Sequence, residues 1–295
     1  MTARSTSAAR ATAASTAASP SAVEHWRSLV RARRQQMEAQ LAAMGGPPED
    51  WWADRSALFA RSIGERAAAP PLGLPAIAER LERGDTLLDI GGGAGRYSVP
   101  LSRLVRHVTL VEPSPAMAEH ARAAFAAAGR DNFTVIEREW PGVRVPKASA
   151  VLIANVLSPI GDIESFLRAA LRRATDWLFI IHGSHDEGGA PAARVNEAFH
   201  GEPRVPNPGL SELLPALHEL GIFPDVVMGS RRFARTFAGL DEAARAMAAI
   251  ALVAPTPRAL ARIRRLLRGE LRRTRGGRLA APAQVLPVGL LIWKR

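Results

Sequence analysis

Between residues 86 and 181 short, nearly continuous apolar runs alternate with amphipathic stretches. The runs are Thr86–Ile90, His107–Glu112, Phe133–Ile136, Ala150–Ala154 and Trp177–Ile181. Runs of this length that stay apolar on both faces predict strands buried on both sides of a sheet. Ser114–Ala128 between them predicts a helix, with Ser114 as N-cap and Pro115 in the first helical position. Asp162–Arg173 predicts another, with Ile163, Phe166, Leu167, Ala170 and Leu171 on one face. Strands alternating with helices imply an α/β fold, a doubly wound and mostly parallel sheet covered by helices.

The flanks have a different period. From Val23 to Met44, residues Trp26, Val30, Met37, Leu41 and Met44 recur at helical spacing until Gly45-Gly46-Pro47-Pro48 stops them. A second helical stretch holds Trp51, Trp52, Leu58, Phe59 and Ile63, and a third covers Leu74–Leu81. Residues 23–83 thus predict an N-terminal helical cap. Of residues 1–22, 18 are Ala, Ser or Thr, which predicts a disordered tail. Its acid-free, Arg- and Ser-bearing composition is shared with organellar transit peptides, so a targeting segment and a plain floppy terminus both stay open.

After the fifth run come helical Leu210–Leu220, strand-like Val226–Met228 extending toward Phe237, and helices over Asp241–Leu252 and Pro257–Arg273, the latter capped by Thr256. Leu260, Ile263, Leu267 and Leu271 form the apolar stripe of the last helix, and Arg258, Arg262, Arg265 and Arg272 a basic one. Residues 240–275 are read as a basic helical insertion, or lid, ahead of a final strand over Val285–Trp293. Residues 84–295 form the main domain.

Charge and composition narrow the function. The chain has 295 residues, a net charge of +11 and no cysteine, which excludes thiol nucleophiles, disulfides and Cys-ligated metals. From Pro255 to Arg295 there are 11 basic residues and one acid, Glu270. This points either to a phosphate-bearing partner or to a solvated Arg-rich face. The longest apolar run falls far short of the roughly 20 residues of a bilayer span. A soluble, cytoplasmic protein without a membrane partner is expected.

The chemistry concentrates in Leu87-Leu88-Asp89-Ile90-Gly91-Gly92-Gly93-Ala94-Gly95-Arg96-Tyr97. A buried strand ends in an acid and enters a glycine-rich turn at the sheet edge where open α/β folds bind ligands. The dinucleotide spacing G-x-G-x-x-G fails, because its last position falls on Arg96 or Ser98, and a P-loop lacks its Lys. A second acid, Glu112, ends the next strand. A carboxylate there can accept hydrogen bonds from ribose hydroxyls.

The series Asp89, Gly91, Gly93, Gly95 followed by Glu112 resembles motif I and its partner acid in the class I (Rossmann-like) S-adenosylmethionine-dependent methyltransferases. The resemblance spans Gly84 to about Gly229 plus the last strand. It implies a seven-stranded sheet with the last strand antiparallel, and S-adenosyl-L-methionine (SAM) as co-substrate with no metal. It implies that Asp89, Gly91, Gly93 and Gly95 line the donor and that Glu112 holds the ribose. Glu139, chosen by register over the nearby Glu137, and Trp140 would contact the adenine, Met117 would pack either on the adenine or in the core, and Asn155 would lie beside the methyl group. The segment Asn155-Val156-Leu157-Ser158 departs from the Asn/Asp-Pro-Pro-aromatic form of many amino-directed enzymes.

His182 and His185, after the fifth run, are candidate general bases or a metal pair, and otherwise loop histidines bonded to solvent or backbone. His200 and Arg204 are further candidate substrate contacts, and Trp51-Trp52 a candidate closure. The leading expectation is methyl transfer to a small-molecule acceptor. An RNA or DNA acceptor gripped by the Arg-rich helix is the alternative, and a non-catalytic SAM-binding protein a second one. The oligomeric state and the accepting atom stay open.

Overall fold

A computed structural model describes residues 20–46, 71–183 and 189–295. The tail through Ser19, the stretch with Trp51 and Trp52, and His185 lie outside the described residues.

The chain runs α1 (Ala22–Ala43), α2 (Leu74–Ala78), β1 (Thr86–Ile90), α3 (Ser98–Leu101), β2 (His107–Val111), α4 (Pro115–Ala127), β3 (Phe133–Ile136), β4 (Ala148–Ala154), α5 (Ile163–Leu171) and β5 (Ala174–Gly183). It continues through α6 (Gly189–His200), α7 (Leu210–Glu219), β6 (Asp225–Phe233), β7 (Thr236–Phe237), α8 (Leu240–Ile250), α9 (Pro257–Leu267), β8 (Arg272–Arg273), β9 (Leu279–Ala280) and β10 (Gln284–Lys294). Seven strands form one sheet in the order β3-β2-β1-β4-β5-β10-β6. β10 is antiparallel to both β5 and β6, while the other adjacent pairs are parallel. The expected α/β sheet with its antiparallel last strand is present. Strand order reverses between β1 and β4, so the carboxyl ends of these two strands flank the crevice where such sheets take ligands.

Both faces are buried, which explains the unbroken apolar runs. Leu87 packs with Ile77, Leu101, Phe125 and Phe179 on one face, and Leu88 with Trp26, Ile153, Phe166 and Leu217 on the other. A separate core joins α6, α8, α9 and the small sheet β7-β9-β8 through Val195, Met247, Ile250, Ile263 and Leu267. α6 thus shares a core with residues 237–281, although α7 and β6 between them belong to the main core and the seven-stranded sheet.

Three expectations need correction. The basic helix ends at Leu267 rather than Arg273. Arg268 caps it, Gly269 follows, and Leu271 N–H turns back to the Leu267 carbonyl. Glycine weakens a helix interior by about 1 kcal/mol, so the chain turns there, and Arg272 leaves the helical stripe for β8. The strand from Val226 stops at Phe233, and Thr236–Phe237 pair with β9 instead. His182 is inside β5, opposite Gly289 of β10, not in the loop beyond.

α1 packs against α7 and α5, and its Trp26 meets the segment after β4 and His182 near the end of β5. The Glu219 carboxylate of α7 accepts from Ala22 N–H (2.6 Å) and Val23 N–H (3.4 Å), a negative group on the positive end of the helix. Trp26, fully buried, donates its indole N–H to the Ile160 carbonyl at 2.8 Å. Further along, Gln36 donates to Glu202 and to the Pro203 carbonyl and accepts from Val205 N–H, and Gln40 donates to Asn196 of α6. Buried amides so satisfied tie α1 to the segment that leads out of α6. No described helix is long and apolar enough to cross a membrane.

Candidate active site

β1 delivers the chain into a turn whose alternate residues are left-handed: φ is +68° at Gly91, +56° at Gly93 and +78° at Gly95. Side chains rarely adopt that conformation. At Gly91 a Cβ would also stand 2.6 Å from the Val156 side chain. The glycines thus let the turn fold against the segment after β4.

Glu112, one residue past β2, is nearly buried. Its Oε2 accepts from Gly93 N–H at 3.0 Å and its Oε1 from Ser114 N–H at 2.9 Å. The Ser114 hydroxyl caps α4 by accepting from Met117 N–H. One carboxylate thereby joins the glycine turn to the start of α4. Each of its oxygens keeps a further lone pair for a ligand hydroxyl. The Met117 methyl carbon stands 3.2 Å from where a Gly93 Cβ would be, so this side chain borders the turn.

Asp89 is also near the turn but faces inward. It is 1% exposed. Its Oδ2 accepts from the Ser98 hydroxyl at 2.5 Å, and its Oδ1 has no hydrogen-bond partner among the described residues. Burial raises its pKa to about 7, the Ser98 hydrogen bond pulls it back in part, and the charge of Glu112 adds to the rise. A carboxyl group with a folded pKa above its unfolded value binds more protons folded than unfolded between about pH 4 and 7. Its contribution to stability is therefore fully present below about pH 4 and is lost as pH rises through 7. Stability should fall across that window by up to about 1.4 kcal/mol per pH unit from this group. Asp89→Asn is expected to remove that slope in urea unfolding measured at several pH values, and an unchanged slope would assign it elsewhere.

Asn155, just after β4, is exposed with φ +57°, and its N–H donates to the Ile181 carbonyl at 2.8 Å. Asparagine tolerates this conformation better than most residues. It stands at the crevice flanked by β1. Glu139 is exposed in the segment after β3. Trp140 is half-buried against α5 and donates its indole N–H to the Phe166 carbonyl at 3.2 Å, leaving only ring surface for a ligand.

The structure brings Asp89, Gly91, Gly93, Gly95, Glu112, Met117 and Asn155 to one edge of the sheet. His182 is fully buried, with Nε2 3.1 Å from the Pro208 carbonyl and its ring 5.7 Å from that of Trp26. Its environment is that of a core histidine, because it has no exposed surface to meet a substrate. His200 ends α6 with Nε2 2.7 Å from the Ala251 carbonyl, and Arg204 follows in the segment leading to α7. Among the described residues no group of three or more His, Asp or Glu could hold a metal ion.

Sequence reasoning passed over Ser98 and the Ser114 amide. Ser98 lies nine residues beyond Asp89 at the first turn of α3, and a small hydroxyl there was the available signal. The Ser114 amide is invisible in sequence, since any non-proline residue offers one.

Residues 88–176 match the family model described as methyltransferase domain. A protein-L-isoaspartate O-methyltransferase of Nitrobacter winogradskyi is 37% identical over 93 residues, 31% of this chain and 42% of that enzyme. An rRNA adenine N-6-methyltransferase of Bacteroides fragilis is 33% identical over 72 residues, 24% of this chain and 26% of that enzyme. The chain thus spans less than half the length of these curated relatives. The YcgJ protein of Bacillus subtilis shares the fold with a TM-score of 0.52 at 13% identity, over 76% of this chain and 97% of that one. The BH2331 protein of Bacillus halodurans does so at 0.50 and 15%, over 75% and 96%.

Proposed function

We propose that the methyltransferase domain carried by residues 88–176, within its class I seven-stranded sheet, binds SAM and passes its methyl group to an acceptor at the carboxyl edge of the strands. The observation that carries this reading is Glu112, a nearly buried carboxylate held by Gly93 N–H and Ser114 N–H with lone pairs to spare.

SAM supplies a methyl group on a sulfonium, which is its own leaving group. The protein's part is to orient and to exclude water. The turn over Gly91, Gly93 and Gly95 offers backbone without side chains for close approach. Glu112 accepts from the ribose hydroxyls. Met117 borders the nucleoside, with Glu139 and the ring face of Trp140 toward the adenine. Asn155 orients groups at the donor–acceptor junction. Asp89 braces the turn through Ser98 from within. Holding donor and nucleophile at near-attack distance accounts for most of the rate, and Trp26 of α1, packed beside the segment after β4 and the end of β5, helps keep water out. A base is needed only where the accepting atom carries a proton, and buried His182 is not suited to that role.

The acceptor is read first as a small molecule, since Gln36 and Gln40 of α1 are bonded to α6 and the segment after it, which follow the carboxyl end of β5 in the chain. A nucleic-acid acceptor is the second reading, and the exposed arginines on α9 favour it. Calorimetric titration with SAM tests the donor. Labelled SAM offered with metabolite extract and, separately, with total RNA tests the acceptor. Absence of SAM binding would refute the reading. SAM binding without transfer to either pool would favour a non-catalytic SAM-binding protein.

A further inference from the structure

We infer that α9 and the β8–β9 hairpin form a docking track for the phosphate backbone of nucleic acid. The inference goes beyond methyl transfer, because binding there needs neither donor nor acceptor.

Residues 258–278 contain nine arginines and one acid, Glu270. That acid is already matched by Arg194 of α6 at 2.7 Å. Asp241 of α8, which shares a surface hollow with Arg258, Arg264, Arg265 and Arg268, is matched by Arg264. Arg262 is committed to the subdomain: it donates to the Ala198 carbonyl at 2.7 Å and lies 4.6 Å from the Phe199 ring centre. Arg273 and Arg278 bond to backbone carbonyls of the hairpin and of Thr236. Arg258, Arg265, Arg268, Arg272 and Arg275 remain, all exposed and without an ion pair or side-chain hydrogen bond among the described residues.

Like charges three and four residues apart on a helix repel. The apolar side of α9, Ile263 and Leu267, is spent on the subdomain core, and Arg262 and Arg264 tie the helix to its neighbours, so Arg258, Arg265 and Arg268 are not needed to dock it. From Arg258 to Arg268 the helix rises about 15 Å, a length that matches successive phosphates of a polymer better than one small anion. Every cation on the track is a guanidinium, whose planar fork suits phosphate oxygens. Among the described residues the large exposed apolar side chains, Phe223, Val226–Met228 and Val285, lie outside residues 258–278. The track therefore lacks the apolar residues with which an interfacial helix enters lipid. Charge complementarity thus selects a nucleic-acid backbone.

The test is a fluorescence titration of labelled single-stranded RNA and duplex DNA without SAM, from about 50 to about 200 mM salt. Five phosphate contacts should give a log–log salt slope of about −3.5 to −4.5, a fall in affinity of roughly 130- to 500-fold over that range. R258Q/R265Q/R268Q/R272Q should flatten the slope by about 3. The same four changed to lysine should keep it, and Arg103→Gln, on the main domain, should not alter it. Salt-independent binding, an equal slope in the glutamine variant, or loss of the slope in the lysine variant would overturn the inference. So would binding to phosphatidylserine vesicles with no binding to either nucleic acid, which would make the surface a lipid contact. SAM binding is measured in the same samples. Its absence would sink the methyl-transfer reading and leave this one standing.

Discussion

Glu112→Ala is expected to weaken SAM binding by roughly 10- to 150-fold, the effect of losing hydrogen bonds worth about 1.5–3 kcal/mol to a charged acceptor. The variant loses more than a ligand contact. Gly93 N–H and Ser114 N–H both donate to this carboxylate, and each donor left unmatched in a nearly buried place costs about 1–3 kcal/mol. The start of α4 also loses a negative group, worth about 0.3–1 kcal/mol. Stability and affinity should fall together, with the sheet intact by far-UV circular dichroism. Glu112→Gln, which keeps one acceptor oxygen, should fall between. Calorimetry on the folded variants decides it, and unchanged affinity in Glu112→Ala would remove Glu112 from the ribose role.

Gly93→Val is expected to abolish SAM binding while the sheet persists. At φ +56° an L-residue costs about 1–2 kcal/mol, and a β-branched side chain is stiffer still. The new Cβ would stand 3.2 Å from the Met117 methyl, so its two methyls must displace that side chain or flip the peptide. A flip takes the Gly93 N–H off Glu112 and opens the turn. The loss is therefore one of turn geometry together with any direct clash with the ligand. Gly93→Ala, with one small carbon to place, should retain weakened binding. The readout is a SAM titration paired with thermal melting. Full affinity in the valine variant would mean that the turn faces away from the ligand.

Much of this site was legible because its chemistry is written in local spacing. An acid at a strand end, three alternate glycines and a second acid after the next strand lie within 24 residues, Asp89 to Glu112. The strands were legible because burial on both faces leaves unbroken apolar runs. What escaped depended on distant partners or on competing signals. α6 was hidden by Gly188-Gly189-Ala190-Pro191, which reads as a loop, although Ala192, Val195 and Phe199 keep a helical spacing. The end of α9 was overrun because Leu271 and Arg272 prolong both stripes beyond Gly269. His182 read as an edge residue because its strand was ended two residues early, at Ile181 rather than Gly183. Only the pairing of His182 with Gly289 and of Gly183 with Val288, more than 100 residues away, shows that β5 continues. Trp140 offered an aromatic ring at the right register, but its tie to Phe166 depends on where α5 packs.

The position of β10 bears on how the chain folds as it is made. This strand fills the place between β5 and β6, yet the ribosome delivers it after both. Until it emerges, the buried run of β5 ends the sheet with an open apolar edge, and β6 has no place to join. Such edges invite pairing with other chains, and closing a gap of roughly 100 residues is slow in a floppy chain. The subdomain of α6, α8, α9 and the small sheet shortens that search. With a core of its own, it can gather α6 and the stretch from β7 to β9 before β10 appears. Changes that loosen this subdomain, even far from the glycine turn, should then lower the yield of folded protein during synthesis more than they lower its stability afterwards.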